Sequence, residues 1–186
     1  RPEPIPFFGE LGSVNPMFML PAAVSARGEA IAKGWVGSLT MGAGQFCTNP
    51  GIVVLLKGAD ADKFVETATE ALRGVGPQTM LTDGIAKAYR DGATRIAGTE
   101  GVRSVLTSTC DLRNATPYLF QTPAKEWLDN HVLGEEVFGP LGLIVIAESE
   151  DEMVAMARSL QGQLTASLHV DAGDEALGKR LMPILE

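Results

Sequence analysis

Apolar positions along this chain alternate between two spacings, and the alternation predicts its elements in order. The run Ile52-Val53-Val54-Leu55-Leu56 is apolar at every position and β-branched at its start, as a parallel strand buried on both faces must be. From Asp60 the spacing changes. Phe64, Val65, Ala68, Ala71 and Leu72 recur at intervals of three and four, the apolar stripe of a helix that residues 74–77 end with Gly and Pro. The same two patterns repeat on either side. Residues 6–10 and 17–20 read as short strands, and Pro21 opens a helix over 22–38, because Pro suits the first helical turn. Residues 42–51 are a loop by composition. Further along come a helix over 83–96 with Asp83 near its start, strands at 102–106 and 118–121, and a connecting segment at 131–142. A strand at 143–147, a helix at 150–160, a strand at 164–170 and a helix at 174–185 complete the chain. Strand and helix alternate with no linker, charge block or internal repeat. That order predicts one α/β domain, a three-layer αβα arrangement in which a mostly parallel sheet is covered by helices on both faces.

Composition narrows the partners. With 186 residues, 45% hydrophobic and 20% charged, the chain has apolar material for one sizeable core. A formal charge of -8 without any cluster of Lys and Arg excludes a binder of nucleic-acid phosphates, leaving small molecules or proteins. No apolar run approaches the roughly 20 residues a bilayer-spanning helix needs, and Arg1-Pro2-Glu3-Pro4 lacks the apolar stretch of a signal peptide. Two cysteines are too few for a disulfide scaffold, so a soluble chain in a reducing, cytoplasmic setting is expected. The chain starts without Met and stops at Leu185-Glu186 inside a predicted helix, so a segment of a longer protein is expected too.

Three places carry candidate chemistry. Cys47 lies among Gly42, Gly44, Asn49, Pro50 and Gly51, residues that can expose a thiol and bring backbone N–H groups close to whatever the sulfur attacks. A cysteine in such a loop can equally be a buried small hydrophobe. Glu10 follows the apolar stretch Pro6-Phe7-Phe8, and a carboxylate at the end of a buried strand can have its pKa raised until it serves as a general base; it can also be a solvated strand end. In Glu135-Glu136-Val137-Phe138-Gly139-Pro140 a glutamate could accept hydrogen bonds from ribose hydroxyls and Phe138 could support a flat ring, or the segment is an ordinary acidic turn. Cys110, in Thr107-Ser108-Thr109-Cys110-Asp111, has no base-like neighbour in sequence and reads as structural.

Taken together, Glu10-Leu11-Gly12, Gly44-Gln45-Phe46-Cys47 and Glu136-Val137-Phe138-Gly139-Pro140, in that order and spacing, resemble the aldehyde dehydrogenase superfamily over essentially the whole chain. The flanks Pro2-Glu3-Pro4-Ile5-Pro6 and Ser13-Val14-Asn15-Pro16, with Gln45-Phe46-Cys47-Thr48-Asn49-Pro50-Gly51, look most like its α-ketoglutaric semialdehyde dehydrogenase branch; commoner members carry Gly-Gly-Lys where this chain has Gly12-Ser13-Val14. The resemblance implies the catalytic-domain fold, Cys47 as the nucleophile, and Glu10 as the activator of hydrolytic water. It implies Glu136 on the nicotinamide ribose, Phe138 beside the nicotinamide, NADP or NAD as cofactor with a lean to NADP, an aldehyde substrate, no metal, and a homo-oligomeric parent, dimer or tetramer. The cofactor-binding domain and the asparagine oxyanion donor of the family precede this stretch, so the isolated chain is expected to be weakly active or inactive. Three rivals stay open: a CoA-acylating member of the same superfamily, a cysteine hydrolase using His131 or His169, and a structural or binding module that keeps the fold without using the thiol.

Overall fold

The computed structural model of the chain describes residues 4–6, 9 and 12–186. Of the strand expected at 6–10, Pro6 and Gly9 lie in irregular backbone, while Phe7, Phe8 and Glu10 fall outside the described residues. Chain order then runs β1 (Met17–Met19), α1 (Pro21–Thr40), β2 (Ile52–Leu56), α2 (Ala59–Arg73), β3 (Gln78–Thr79), α3 (Asp83–Ala97), β4 (Arg103–Leu106), β5 (Asn114–Ala115), β6 (Tyr118–Pro123), α4 (Ala124–Asp129), β7 (Leu141–Ala147), α5 (Glu150–Ser159), β8 (Ser167–His169) and α6 (Glu175–Leu185). Tight 3₁₀ turns occupy Met41–Gly44 and His131–Gly134.

Among the described residues six strands make one sheet in the order β4-β6-β7-β2-β1-β8. Every pairing in it is parallel except β4 with β6, and β3 with β5 forms a separate antiparallel pair. Side chains alternate across a strand, which divides the core in two. Met17, Met19, Val53, Leu55, Leu119 and Ile144 cluster with Trp35 and Leu39 of α1 and with Phe64, Ala68 and Leu72 of α2. Phe18, Ile52, Val54, Phe120, Leu143 and Val145 cluster with Tyr89 of α3, Trp127 of α4, Met153 of α5 and Leu181 of α6. Helices thus cover both faces, as the αβα expectation requires. No helix among the described residues is long and apolar enough to cross a membrane.

Departures from the expected boundaries have local causes. Strand β7 begins at Leu141 rather than 143, and Gly142 weakens the apolar run because a Cβ there would lie 2.7 Å from the Trp35 indole. Strand β8 is shorter than 164–170, since the Leu164 N–H donates to Ser13 Oγ and the Thr165 N–H to Asn15 Oδ1 instead of to a neighbouring strand. Helix α3 is capped by Thr82, whose Oγ1 accepts from the Ile85 N–H at 3.1 Å. Helix α4 has six residues, too few for a periodicity to register, and was not expected from the sequence.

The start of α1 has neither an acidic residue in its first turn nor a side-chain cap of its own. Asp174, 4% exposed, supplies one from the far end of the chain. Its carboxylate accepts from the N–H groups of Ala22 at 2.8 Å and Ala23 at 2.9 Å, two of the donors a helix start leaves unpaired, and from Asp171 N–H at 3.0 Å. Asp174→Ala should therefore lower stability by about 2–3 kcal/mol, as loss of hydrogen bonds to a buried charge does, and Asp174→Asn by roughly half as much. Urea unfolding midpoints measure both, and a loss for the alanine variant below about 0.5 kcal/mol would refute the cross-chain cap.

Candidate active site

In an open parallel sheet, ligands commonly sit beyond the carboxyl ends of the strands. Here the candidate residues gather at the opposite ends. Segments 13–16, 45–51, 135–140 and 163–165 lead into β1, β2, β7 and β8, which are adjacent in the order β7-β2-β1-β8, so the four entry segments are neighbours.

Backbone conformation shapes the approach to Cys47. Gly42, Ala43 and Gly44 all take positive φ (56°, 58° and 66°) and coil the chain beyond α1 into a tight turn. Gln78 of β3 accepts from the Ala43 N–H at 2.6 Å, and Gln45 Oε1 accepts from the Leu81 N–H at 2.9 Å, which supports the turn from below. A Cβ on Gly44 would lie 2.3 Å from the Gly139 carbonyl carbon, so the two backbones touch. Asn49 seals the contact by donating to the carbonyls of Gly44 at 2.6 Å and Leu39 at 3.2 Å.

Cys47 itself is exposed. The carbonyl before it, that of Phe46, accepts from the Asn49 N–H at 3.0 Å, and its own carbonyl accepts from Asn15 Nδ2 at 2.9 Å. A planar trans peptide points its N–H opposite to its C=O. The N–H groups of Cys47 and Thr48 therefore face away from Asn49 and Asn15, and among the described residues neither donates to a protein atom. An exposed thiol flanked by two uncommitted N–H donors matches what addition to a carbonyl requires.

The segment holding Glu136 and Phe138 is tied to α3 at alternate residues. Glu135 pairs with Arg95, Val137 packs where a Cβ on Gly92 would be 2.7 Å away, and a Cβ on Gly139 would lie 2.3 Å from the Tyr89 ring. The Tyr89 hydroxyl is within 2.8 Å of the Thr116 carbonyl and 3.1 Å of that of Pro140, and burial pushes its pKa far up, which keeps it a donor. Of the intervening residues, Glu136 brings its carboxylate against Gly12, and Phe138 stays 36% exposed. Gly44, Asn49, Glu136, Phe138 and Gly139 line one small cavity of about 30 Å³. A larger cleft of about 580 Å³ has Met41, Phe46, Thr48, Trp35 and His169 in its wall and shares Asn49 with the small cavity. His169 is the one titratable residue lining it among those described; burial, and then Arg27, hold its pKa below the usual imidazole value.

Glu10 lies outside the described residues; of the other three expected residues, Glu136 and Phe138 line one cavity with Gly44 and Asn49 of the Cys47 loop, and Cys47 itself is exposed outside that lining. Among the described residues no hydrogen bond joins the Cys47 thiol to His131 or His169, although His169 lines the same cleft as Phe46 and Thr48. Cys110 is half-buried, with its Sγ 2.7 Å from the Asn114 carbonyl. Sequence reasoning missed Asn15, Asn49, Gln163 and Thr165. The dipeptides Asn15-Pro16 and Asn49-Pro50, each just ahead of an apolar strand, were a usable signal for chain-turning asparagines; Gln163 and Thr165 had none.

A mostly parallel sheet between two helical layers, with an exposed cysteine on the loop entering a central strand, is the architecture of an aldehyde dehydrogenase catalytic fold. Glyceraldehyde-3-phosphate dehydrogenase of Methanocaldococcus jannaschii, solved in complex with NADP, superposes with a TM-score of 0.75 at 22% identity, over 95% of this chain and 38% of that one. The aldehyde dehydrogenase family profile matches residues 5–178, and the chain belongs to that family. It is 44% identical to alpha-ketoglutaric semialdehyde dehydrogenase 2 of Azospirillum brasilense and 37% identical to alpha-ketoglutaric semialdehyde dehydrogenase of Acinetobacter baylyi, in each case over 100% of this chain. The chain spans 36% of the length of these curated relatives.

Two outcomes follow from the geometry. Iodoacetamide should alkylate Cys47 about tenfold or more faster than Cys110 in the folded chain, read by mass spectrometry of the peptides; equal rates would contradict an accessible thiol. Gly44→Ala should cost about 2–3 kcal/mol in urea unfolding, through a forced clash with Gly139 and an unfavourable φ. A neutral substitution would mean that the two segments do not touch.

Proposed function

We propose that this chain is the thiol-bearing catalytic domain of a longer NAD(P)-dependent aldehyde dehydrogenase that oxidises α-ketoglutaric semialdehyde to 2-oxoglutarate. The observation that carries the reading is the exposed Cys47, whose N–H donates to no atom among the described residues, on a loop whose Gly44 and Asn49 share one cavity with Glu136 and Phe138. The names of the two relatives, at 44% and 37% identity, support the substrate. The resemblance leans to NADP over NAD and to a homo-oligomeric parent.

The residues present fit the nicotinamide end of such a cofactor. Phe138 offers a partly exposed flat face, and the Glu136 carboxylate has the acceptor chemistry that ribose hydroxyls need. The resemblance places the family's cofactor-binding domain before this stretch, and the lack of a glycine-rich phosphate turn after a strand in this chain is consistent with that reading.

In the proposed reaction the Cys47 thiolate forms a C–S bond to the aldehyde carbon, and the carbonyl π electrons move to oxygen. The Cys47 N–H donates to that oxyanion and lowers the barrier to its formation. Bound NAD(P)+ supplies the hydride acceptor. Loss of hydride from the adduct carbon leaves Cys47 holding a thioester; Glu10 takes one proton from the attacking water as the new C–O bond forms, the C–S bond breaks to free the thiolate, and the carboxylic acid loses its remaining proton to solvent. A water-activating carboxylate is what hydrolysis requires, and it favours this reading over transfer of the acyl group to CoA.

In the full-length protein, Cys47→Ser should lower kcat/KM by at least about 10³-fold. Glu10→Gln should retain a single-turnover burst of reduced nicotinamide while steady-state turnover falls. Comparable rates for α-ketoglutaric semialdehyde and simple aliphatic aldehydes, with either cofactor, would sink the substrate assignment. An unaffected Cys47→Ser enzyme would sink the mechanism, and full cofactor-dependent turnover by the isolated chain would sink the domain assignment.

A further inference from the structure

We propose that Asn15 is a positioning residue for the thiol step, holding the Cys47 carbonyl so that Cys47 and the two N–H groups around it stay aimed at the incoming carbonyl. The proposal rests on the reading of Cys47 as nucleophile. Asn15 is 2% exposed, and its side-chain amide is used to capacity. Nδ2 donates to the carbonyls of Cys47 and Asn49, each at 2.9 Å. Oδ1 accepts from the Thr165 hydroxyl at 2.9 Å and its N–H at 3.2 Å, with Ser13 Oγ also 2.9 Å away. One end of the amide meets carbonyls and the other meets donors, so its orientation is unambiguous.

The residue type is demanded by this arrangement. Aspartate matches the shape but would set an anionic oxygen against two carbonyls, and alanine would leave those carbonyls and the Thr165 N–H without their partner. Asn15 also takes φ 45°, a left-handed conformation that asparagine tolerates better than most residues. Gln163 fixes that backbone, its Oε1 accepting from the Val14 N–H at 2.7 Å and the Asn15 N–H at 3.2 Å. Segments that enter β1 and β8 are thereby locked to the loop that enters β2.

Holding one carbonyl matters because a peptide moves as a plane. With the Phe46 carbonyl on Asn49 and the Cys47 carbonyl on Asn15, both peptides flanking the Cys47 α-carbon are pinned. Release of the second would let the Cys47–Thr48 plane turn, carrying the Thr48 N–H and tilting the thiol. Displacements near 1 Å in such sites cost about 10²-fold in rate.

The test compares two reactions of the same sulfur in the full-length enzyme. Addition to an aldehyde depends on aim and on oxyanion donors, whereas iodoacetamide alkylation displaces iodide and builds no oxyanion. Asn15→Ala and Asn15→Asp should slow the single-turnover burst of reduced nicotinamide by about 10²-fold, with Cys47 alkylation and the aldehyde KM little changed. Burst rates within about twofold of wild type in a folded variant would overturn the proposal, as would equal losses in burst and alkylation, which mark simple collapse of the loop. Should both variants fail to fold by circular dichroism, Ser13→Ala/Thr165→Val decides: it strips the hydroxyl partners from Asn15 Oδ1, and a burst slowed about tenfold with alkylation intact supports positioning, an unchanged burst overturns it. Turnover that survives Cys47→Ala would instead bring down the underlying reading of the nucleophile, whatever Asn15 does.

Discussion

The backbones of Gly44 and Gly139 meet so closely that a Cβ on Gly44 would lie 2.3 Å from a carbonyl carbon. That contact is what makes one site out of two loops ninety-odd residues apart. It sets the loop that carries the exposed cysteine against the segment that carries Glu136 and Phe138, and it is maintained from both sides. Asn49 donates to the Gly44 carbonyl, and the Tyr89 ring packs against Gly139. Two glycines are needed there because any side chain on either would collide, with backbone in one case and with a buried ring in the other.

The sheet determines which loops can meet. Strands β7, β2, β1 and β8 are neighbours and parallel, so their entry segments emerge together at one edge. Polar side chains then knit those segments in a region where the backbone has left the sheet. Gln163 and Thr165 divert the entry of β8 onto Ser13 and Asn15, and Asn15 passes the constraint on to Cys47. Shortening of β8 and immobilisation of the thiol loop are two results of the same hydrogen bonds. Partial burial of those bonds makes each harder to exchange with water.

Membership of the aldehyde dehydrogenase family was legible from three short motifs, and the layer architecture from spacing alone. Strand β2 was located to the residue because five consecutive apolar side chains leave no other reading of Ile52–Leu56. Helix α2 was equally plain, with its buried face at Phe64, Ala68 and Leu72. Elements without a period of their own escaped: α4, too short to show one, and the β3–β5 pair, two residues on each strand.

By itself the sequence determined the order of the longer elements, the two-sided burial of the central strands, and Cys47 as the candidate thiol, because these depend on residue type and local spacing. Tertiary structure alone decided that Cys47 is exposed, that Glu136 and Phe138 stand beside its loop, that Asp174 caps a helix 152 residues earlier in the chain, and that Asn15 grips the Cys47 carbonyl. These contacts join residues 32 to 152 positions apart, and nothing in local spacing encodes which distant carbonyl an asparagine will face. Packing of the sheet and the touching glycines settle that choice, and it is made only once the chain has folded.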